Sequence, residues 1–305
     1  MVCLCNLVCK SSRGWKRLSN FFKKNSSKYI ENFANRNTKK ICNRFVLMNS
    51  LDFKLLASHH KKKLIVKNTP YGHCSTDNFF PDNIINNIAS SFKFPETVGS
   101  TSDPLFQKTK RSLSDYNLFP IEIKKTIDYL NSQSFINILE EKFNIKNLVS
   151  DSSLFGGGMH ESRNGGYLKI HSDFVYIRNR KLKRMLNLLV YLNDGWNENW
   201  GGAIELWDQN MKNNFLKIYP KINHALIFRT DTESNHGFPD PINCPKDKSR
   251  KSLALYYYIH DNSLFKRTKY YYARWKRRPG IEEPKFGDNR SFIERFKNNF
   301  LFRFK

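Results

Sequence analysis

The sequence predicts an α+β protein in which helices support one side of a β-rich core, with basic extensions at both ends. Helical periodicity is concentrated in residues 78–145, and short apolar strands separated by Gly, Asn, Asp and Pro follow after residue 150. Lys and Arg are concentrated at the two ends of the chain. Many short strands with turn residues between them are typical of a sandwich, a jelly roll or a barrel.

Residues 1–70 are predicted to be a basic, partly disordered arm with a short helix around Trp15–Phe22. Residues 1–63 contain 15 Lys and Arg but only 2 acidic residues. The chain begins apolar and then turns basic, which is the reverse of a signal peptide, and it has no apolar run long enough to span a membrane. A cytoplasmic location is therefore expected. The spacing of Cys3, Cys5 and Cys9 matches no zinc or iron–sulfur motif.

Residues 71–265 are predicted to form the main domain, with helical support in residues 78–145 and a β core in residues 150–262. Apolar residues recur at helical spacing in "FFPDNIINNIASSF", "PIEIKKTIDYLN" and "SFINILEEKF". Residues 94–118 are expected to be a loop. The predicted strands are "GGYLKIHSDF", "RMLNLLVYLN", "GGAIELW", "FLKIYP", "HALIFRT" and "KSLALYYYIH".

The segment "HSD" places His171 and Asp173 on the same face of a strand, because alternate side chains in a strand point the same way. The pair is either a surface salt bridge or two ligands of a metal site. Iron sites with two histidines and one carboxylate need a third ligand and leave the opposite face open. His236, in "SNHGFPDP", is the candidate, because it follows the strand "HALIFRT" and can return to the strand that bears His171.

A carboxylate anchor is predicted at the start of the last core strand. Arg250 shares a face with the small residues Ser252 and Ala254, whereas Lys251 points to the opposite face. A guanidinium binds a carboxylate with two hydrogen bonds, so this face has room for an acidic ligand. In "RMLNLLVYLN", Asn187 and Tyr191 share the face opposite the aliphatic residues, which suits a cavity-lining strand. A structural hydroxyl is an equally good interpretation of Tyr191 alone.

Five segments occur in a characteristic order: "HSD", "YLN", "GGAIELW", "SNHGFPDP" and "RKSLALYYY". Together they resemble the iron(II)/2-oxoglutarate-dependent oxygenases, in particular the prolyl 4-hydroxylase-like branch. The resemblance implies a double-stranded β-helix (a jelly-roll, cupin-like fold), with His171, Asp173 and His236 as iron ligands. It assigns Arg250 to the distal carboxylate of 2-oxoglutarate, with Tyr191 assisting. Some members of the family use Lys at the basic position, so Lys251 is a rival to Arg250.

The resemblance further implies a dioxygenase that uses Fe(II), 2-oxoglutarate and O2, with ascorbate as an optional cofactor. The expected reaction is hydroxylation of an unactivated C–H bond with release of succinate and CO2. A prolyl or other peptidyl substrate is favoured, because residues 64–264 carry a net charge of only +3 and contain no DNA-reading motif. A peptide or protein is expected rather than a free small molecule.

Two other functions remain open from the sequence. The basic ends are compatible with a nucleic-acid-binding protein, or with docking on RNA or a ribosome-bound protein. A non-redox, metal-binding cupin-like module would use the same scaffold. The C-terminal extension, residues 266–305, is expected to pack aromatic residues on the core at helical spacing, in the order Phe292, Phe296 and Phe300.

Overall fold

The strand-rich half of the chain folds into one curled sheet in the computed structural model, which describes residues 52–103, 105–177, 180–261 and 273–283. The predicted helix at Trp15–Phe22, the N-terminal cysteines and the C-terminal phenylalanine stripe lie outside the described residues. The chain divides into two units, Met1–Asp52 and Phe53–Lys305. The description below concerns the second unit.

The sheet has thirteen strands within the described residues. Their bounds are β1 (His73–Thr76), β2 (Thr101–Asp103), β3 (Gln107–Leu113), β4 (Val149–Ser150), β5 (Gly158–Ser172), β6 (Tyr176–Ile177), β7 (Leu182–Tyr191), β8 (Ile204–Trp207), β9 (Asn214–Ile218), β10 (Ala225–Arg229), β11 (Asn235–Phe238), β12 (Arg250–His260) and β13 (Arg274–Trp275).

The long strand β5 belongs to two parts of the sheet. Strand order along the main path is β1-β10-β7-β12-β5-β11-β8-β9. Residues 158–162 of β5 pair with β12, whereas residues 168–171 pair with β11, and both pairings are antiparallel. The sheet therefore curls on itself through β5. This is the jelly-roll, double-stranded β-helix architecture, so the predicted fold class is confirmed.

Two glycines allow β5 to bend between its two partners. Gly165 has a φ of +75°, in the left-handed region that favours glycine. A Cβ on Gly166 would lie 2.5 Å from the side-chain oxygen of Thr109 and 2.7 Å from the carbonyl oxygen of Arg163. The chain can make this close turn because both positions lack a side chain.

Helices support the sheet. The α-helices of the described part are α1 (Phe53–Lys63), α2 (Asp82–Ser91), α3 (Ile121–Leu130) and α4 (Gln133–Phe143), with 3-10 turns at Tyr116–Leu118 and Glu198–Trp200. The predicted stripe on α3 is buried, and it comprises Ile123, Ile127 and Leu130. Ser132 caps α4 by accepting a hydrogen bond from the backbone N–H of Phe135. None of the described helices is long and apolar enough to cross a membrane.

The prediction of a loop over residues 94–118 is wrong, because β2 and β3 lie within it. The sequence of β3, "QKTKRSL", has no apolar alternation, so its strand character is not visible without its partner. Residues of β3 pair with β5 from Gln107 to Leu113. His236, expected in a loop, lies on β11. The predicted domain boundaries remain a prediction, although α1 and β13 form within the segments predicted as extensions.

His60 anchors α1 in an aromatic cluster. Its side chain is fully buried, and its ring centroid lies 4.2 Å from that of Phe79 and 5.5 Å from that of Tyr129. Its Nδ1 lies 2.8 Å from the carbonyl oxygen of Leu56. Burial, reinforced by the adjacent His59, lowers the pKa of His60 to about 3.

Acid should therefore destabilise the fold through His60. Because the pKa is lower in the folded than in the unfolded state, the stabilising contribution is complete above pH 6.5 and is lost as the pH falls toward 3. The free energy of unfolding should fall by up to about 1.4 kcal/mol per pH unit in this range. Urea unfolding at several pH values should show a shallower pH slope for His60→Phe. The control His260→Gln, at an exposed position, should keep the slope, and an unchanged slope in His60→Phe would contradict the assignment.

Candidate metal and 2-oxoglutarate site

The pairing of β11 with β5 brings the three predicted metal ligands together. His236 lies directly opposite His171 in this antiparallel pair, and Asp173 follows the last residue of β5. Nε2 of His171 lies 3.3 Å from Oδ1 of Asp173, and Nε2 of His236 lies 3.7 Å from Oδ2. One ligand atom from each side chain lies within 4.8 Å of the others. This is the spacing of ligands around one ion.

Hydrogen bonds to the backbone fix the tautomers of both imidazoles. Nδ1 of His171 lies 2.8 Å from the carbonyl oxygen of Lys169, and Nδ1 of His236 lies 2.9 Å from that of Ser234. A carbonyl oxygen only accepts, so each Nδ1 must donate. Each Nε2 then presents a lone pair toward Asp173. Three acceptors that converge without a proton between them fit a bound cation.

The protonation states agree with this geometry. Burial, together with the neighbouring His171, lowers the pKa of His236 to about 4, so this imidazole is neutral near pH 7. Burial alone would raise the pKa of Asp173. The Arg184 guanidinium and the two imidazoles outweigh burial and hold the pKa of Asp173 well below its usual range. The site therefore offers a neutral His236 imidazole and an ionised Asp173 carboxylate.

Two buried side chains donate hydrogen bonds to the Asp173 carboxylate. Nη1 of Arg184 donates to Oδ2 at 2.9 Å, and Nδ2 of Asn187 donates to the same oxygen at 2.6 Å. The Arg184 guanidinium lies between the rings of Phe174 and Tyr256, at 3.9 and 3.8 Å from their centroids. Because Oδ2 already accepts two hydrogen bonds, Oδ1 is the oxygen best placed to bind a metal.

Aromatic rings pack against the two predicted histidine ligands. The ring of Trp275, on β13, has its centroid 4.8 Å from that of His171, and Phe106 stacks on Trp275 at 4.4 Å. Phe228 packs against His236 with the centroids 4.7 Å apart. These contacts restrict the rotation of both imidazoles.

A second polar group lies deeper in the same curl of the sheet. Arg250 is only 6% exposed, and its Nε donates to the carbonyl oxygen of Gly202 at 2.8 Å. Its Nη2 donates to the hydroxyl of Tyr191 at 3.0 Å. Burial lowers the pKa of Arg250 but raises that of Tyr191, which leaves a charged guanidinium beside a neutral phenol. This pair can bind a carboxylate by hydrogen bonds and charge.

Lys251 lies on the other face of β12. It lines a surface pocket of about 360 Å³ together with Asn86 and Asp247, away from Tyr191. Its backbone N–H donates to Oδ1 of Asn193 at 2.7 Å. The geometry therefore favours Arg250 over Lys251 as the anchor of a carboxylate inside the curl.

Sequence reasoning missed Arg184 and Trp275. Strict alternation along β7 places Arg184 on the aliphatic face, three positions before Asn187. A register shift in the pairing of β7 with β12, between Tyr257 and Tyr258, brings both side chains to Asp173. No pattern in the sequence marks this shift. Trp275 lies in a run of aromatic and basic residues, which only suggested packing on the core.

Residues 157–258 match the family model described as the 2OG-Fe(II) oxygenase superfamily. These residues form a 2OG-Fe(II) oxygenase domain. The matched segment contains the three predicted metal ligands and the Arg250–Tyr191 pair. The chain is a 2-oxoglutarate-dependent dioxygenase, with Fe(II) as its metal and 2-oxoglutarate and O2 as its co-substrates.

Several solved structures are similar to this oxygenase. One is a Trichoplax adhaerens prolyl hydroxylase, solved in complex with a peptide from the hypoxia inducible factor oxygen degradation domain. It is 18% identical in sequence, with a TM-score of 0.46, and the match covers 69% of this chain and 94% of that chain. A Pseudomonas putida prolyl-4-hydroxylase is 15% identical, with a TM-score of 0.42 and coverage of 67% and 99%. None of the curated protein sequences compared with the chain matches it.

Removal of the Asn187 amide should weaken metal binding without changing the charge of the site. Asn187→Ala frees Oδ2 of Asp173 to rotate, and loss of such an outer hydrogen bond costs about 10-fold or more in metal affinity. Anaerobic titration with Co(II) would measure this affinity, and the visible spectrum would report the ligand geometry. Asn199→Ala, on the surface, is the matched control. Equal affinities and spectra in both variants would contradict the role of Asn187.

Proposed function

We propose that His171, Asp173 and His236 bind Fe(II), and that the chain hydroxylates an unactivated C–H bond of a prolyl or other peptidyl residue. The observation that carries this proposal is the convergence of two fixed Nε2 lone pairs and one ionised carboxylate on a single point. Three protein ligands on one side leave the other positions of the metal for co-substrate and oxygen.

Arg250 and Tyr191 are proposed to anchor the distal carboxylate of 2-oxoglutarate. The guanidinium and the phenol hydroxyl are joined by a hydrogen bond, so the pair offers preorganised donors. The carbonyl oxygen of Gly202 holds the guanidinium in place through Nε. Gly202, the second of two glycines before β8, thus supports the proposed anchor through its backbone carbonyl.

The bound metal supplies the redox chemistry that couples oxidative decarboxylation of 2-oxoglutarate, giving succinate and CO2, to hydroxylation of the substrate. The protein holds the reactants and limits access of water. Beside Tyr191, the curl is closed by a cluster of apolar side chains, among them Leu206, Leu226 and Phe228. Arg184 and Asn187 keep the Asp173 carboxylate in one orientation.

The choice of a peptidyl substrate rests on the resemblance of the ordered motifs to the prolyl 4-hydroxylase-like branch and on the near-neutral charge of residues 64–264. A non-redox cupin-like module or a pure nucleic-acid-binding protein is not favoured, since neither needs a buried carboxylate anchor. Docking on RNA through the basic ends, a role for ascorbate and a cytoplasmic location remain predictions.

Stoichiometric iron loading and 2-oxoglutarate-dependent succinate release should both be lost in each of three variants, His171→Ala, Asp173→Ala and His236→Ala. Each variant removes one of three ligand atoms. Iron content after anaerobic reconstitution, measured with succinate release, provides the test. His260→Ala, at the exposed end of β12, should behave as wild type. Full iron content in any of the three ligand variants would exclude that residue as a ligand.

Arg250→Met should raise the KM for 2-oxoglutarate by about 10- to 100-fold, because a charge-assisted, two-point contact with a carboxylate is lost. Lys251→Met removes the adjacent cation on the opposite face and should leave the KM within about 2-fold of wild type. Succinate formation over a range of 2-oxoglutarate concentrations would separate the two. The reverse pattern would assign the anchor to Lys251.

A further inference from the structure

Strand β3 brings an additional cation into the same curl of the sheet. Lys110 lies opposite Ser162 on β5, and Ser162 lies opposite Arg250 on β12. Directly opposite residues of neighbouring strands share a face, so Lys110 and Arg250 belong to the same inner face. At about 4.8 Å between strands, their backbones lie roughly 10 Å apart. Lys110 thus lies two strands away from Arg250 on the inner face of the sheet.

The surroundings of Lys110 are short of negative charge. The charged groups that act most strongly on its ammonium are one acid, Asp173, and two bases, Arg250 and Arg184. Asp173 is already paired with Arg184 at 2.9 Å. Within the described residues, the Lys110 ammonium has neither a hydrogen bond nor an ion pair. Burial lowers its pKa.

The outer face of the same strand provides a contrast. Arg111, the next residue, donates to Oε2 of Glu161 at 3.0 Å and lies over the ring of Phe94. Its charge is thus compensated within the protein. Within the described part of the chain, the half-buried Lys110 has no such carboxylate partner, although a cation that is partly removed from water is stabilised by one.

His160 adds an unpartnered buried atom beside Lys110. It lies opposite Ser112 on β3 and Ser252 on β12, one step along the same inner face. Within the described residues, its buried Nε2 has no hydrogen-bond partner. This nitrogen can accept a hydrogen bond from a backbone N–H of a peptide whose carboxylate reaches Lys110.

We propose that the Lys110 ammonium binds a carboxylate of the substrate, so that the oxygenase prefers an acidic residue next to the residue that it hydroxylates. This inference rests on the proposed function and deepens it. The two carboxylates of 2-oxoglutarate have partners in Arg250 and the bound metal. Lys110 is then a third cation that requires a third carboxylate, and the substrate is the remaining source.

The test uses full-length protein reconstituted with Fe(II), 2-oxoglutarate and a pool of synthetic peptides, each with one proline and one varied flanking position. Mass spectrometry of the 16-Da adducts gives the preferred sequences. Wild-type products should be enriched about 10-fold in Asp or Glu over Asn or Gln at one flanking position, as expected for one charge-assisted hydrogen bond. Lys110→Met should remove this enrichment, and Lys110→Glu should reverse it toward Lys and Arg.

Lys108→Met is the matched control, because Lys108 is exposed on the same strand, and it should keep the wild-type profile. The KM for 2-oxoglutarate should stay within about 2-fold of wild type in all variants, since Arg250 is intact. The inference would be overturned if wild-type products showed no acidic enrichment, or if succinate were released without hydroxylation of any acidic peptide. It would also be overturned if Lys110→Met raised the KM for 2-oxoglutarate but left the product profile unchanged. Absence of succinate release from wild type would instead refute the proposed function.

Discussion

The register between β11 and β5 is the constraint on which the site depends. It places His236 opposite His171, and a shift of one residue would turn His236 to the outer face. Gly237 makes this register possible, because a Cβ there would lie 2.7 Å from the carbonyl oxygen of Leu168. Any larger residue would force β11 away from β5. The proposed metal site therefore depends on a backbone contact as much as on its three candidate ligands.

Asp173 and Arg184, two charged groups of the site, compensate each other. Burial disfavours an ionised carboxylate, but Arg184 and Asn187 hold Asp173 in its charged form. Arg184 is itself buried, and the faces of Phe174 and Tyr256 stabilise its cation. The carboxylate can therefore be ionised before a metal binds. Aromatic rings here have an electrostatic role in addition to packing.

Many short strands predicted the β-rich fold class, and the two-residue period of strands placed His171 and Asp173 on one face. The double-stranded β-helix and the full ligand set came from the resemblance of the ordered motifs to a known family. Alternation alone placed Asn187 and Tyr191 on one face, and both side chains lie inside the curl. It failed where a strand departs from that period. Arg184 reaches Asp173 only through a register shift, and β3 is polar along most of its length, so its strand character depends on its pairing with β5.

The path of β5 sets the distance between the two halves of the site. Its first part lies beside Arg250, and its second part carries His171, with the bend at Gly165 and Gly166 between them. The backbone thus sets the distance between the strand positions of Arg250 and His171, the proposed carboxylate anchor and metal ligand. A co-substrate of fixed length can be matched by such a frame. Differences in substrate preference then depend on residues that line the curl but do not set this distance. Lys110, on strand β3 beside β5, is proposed to be one of them.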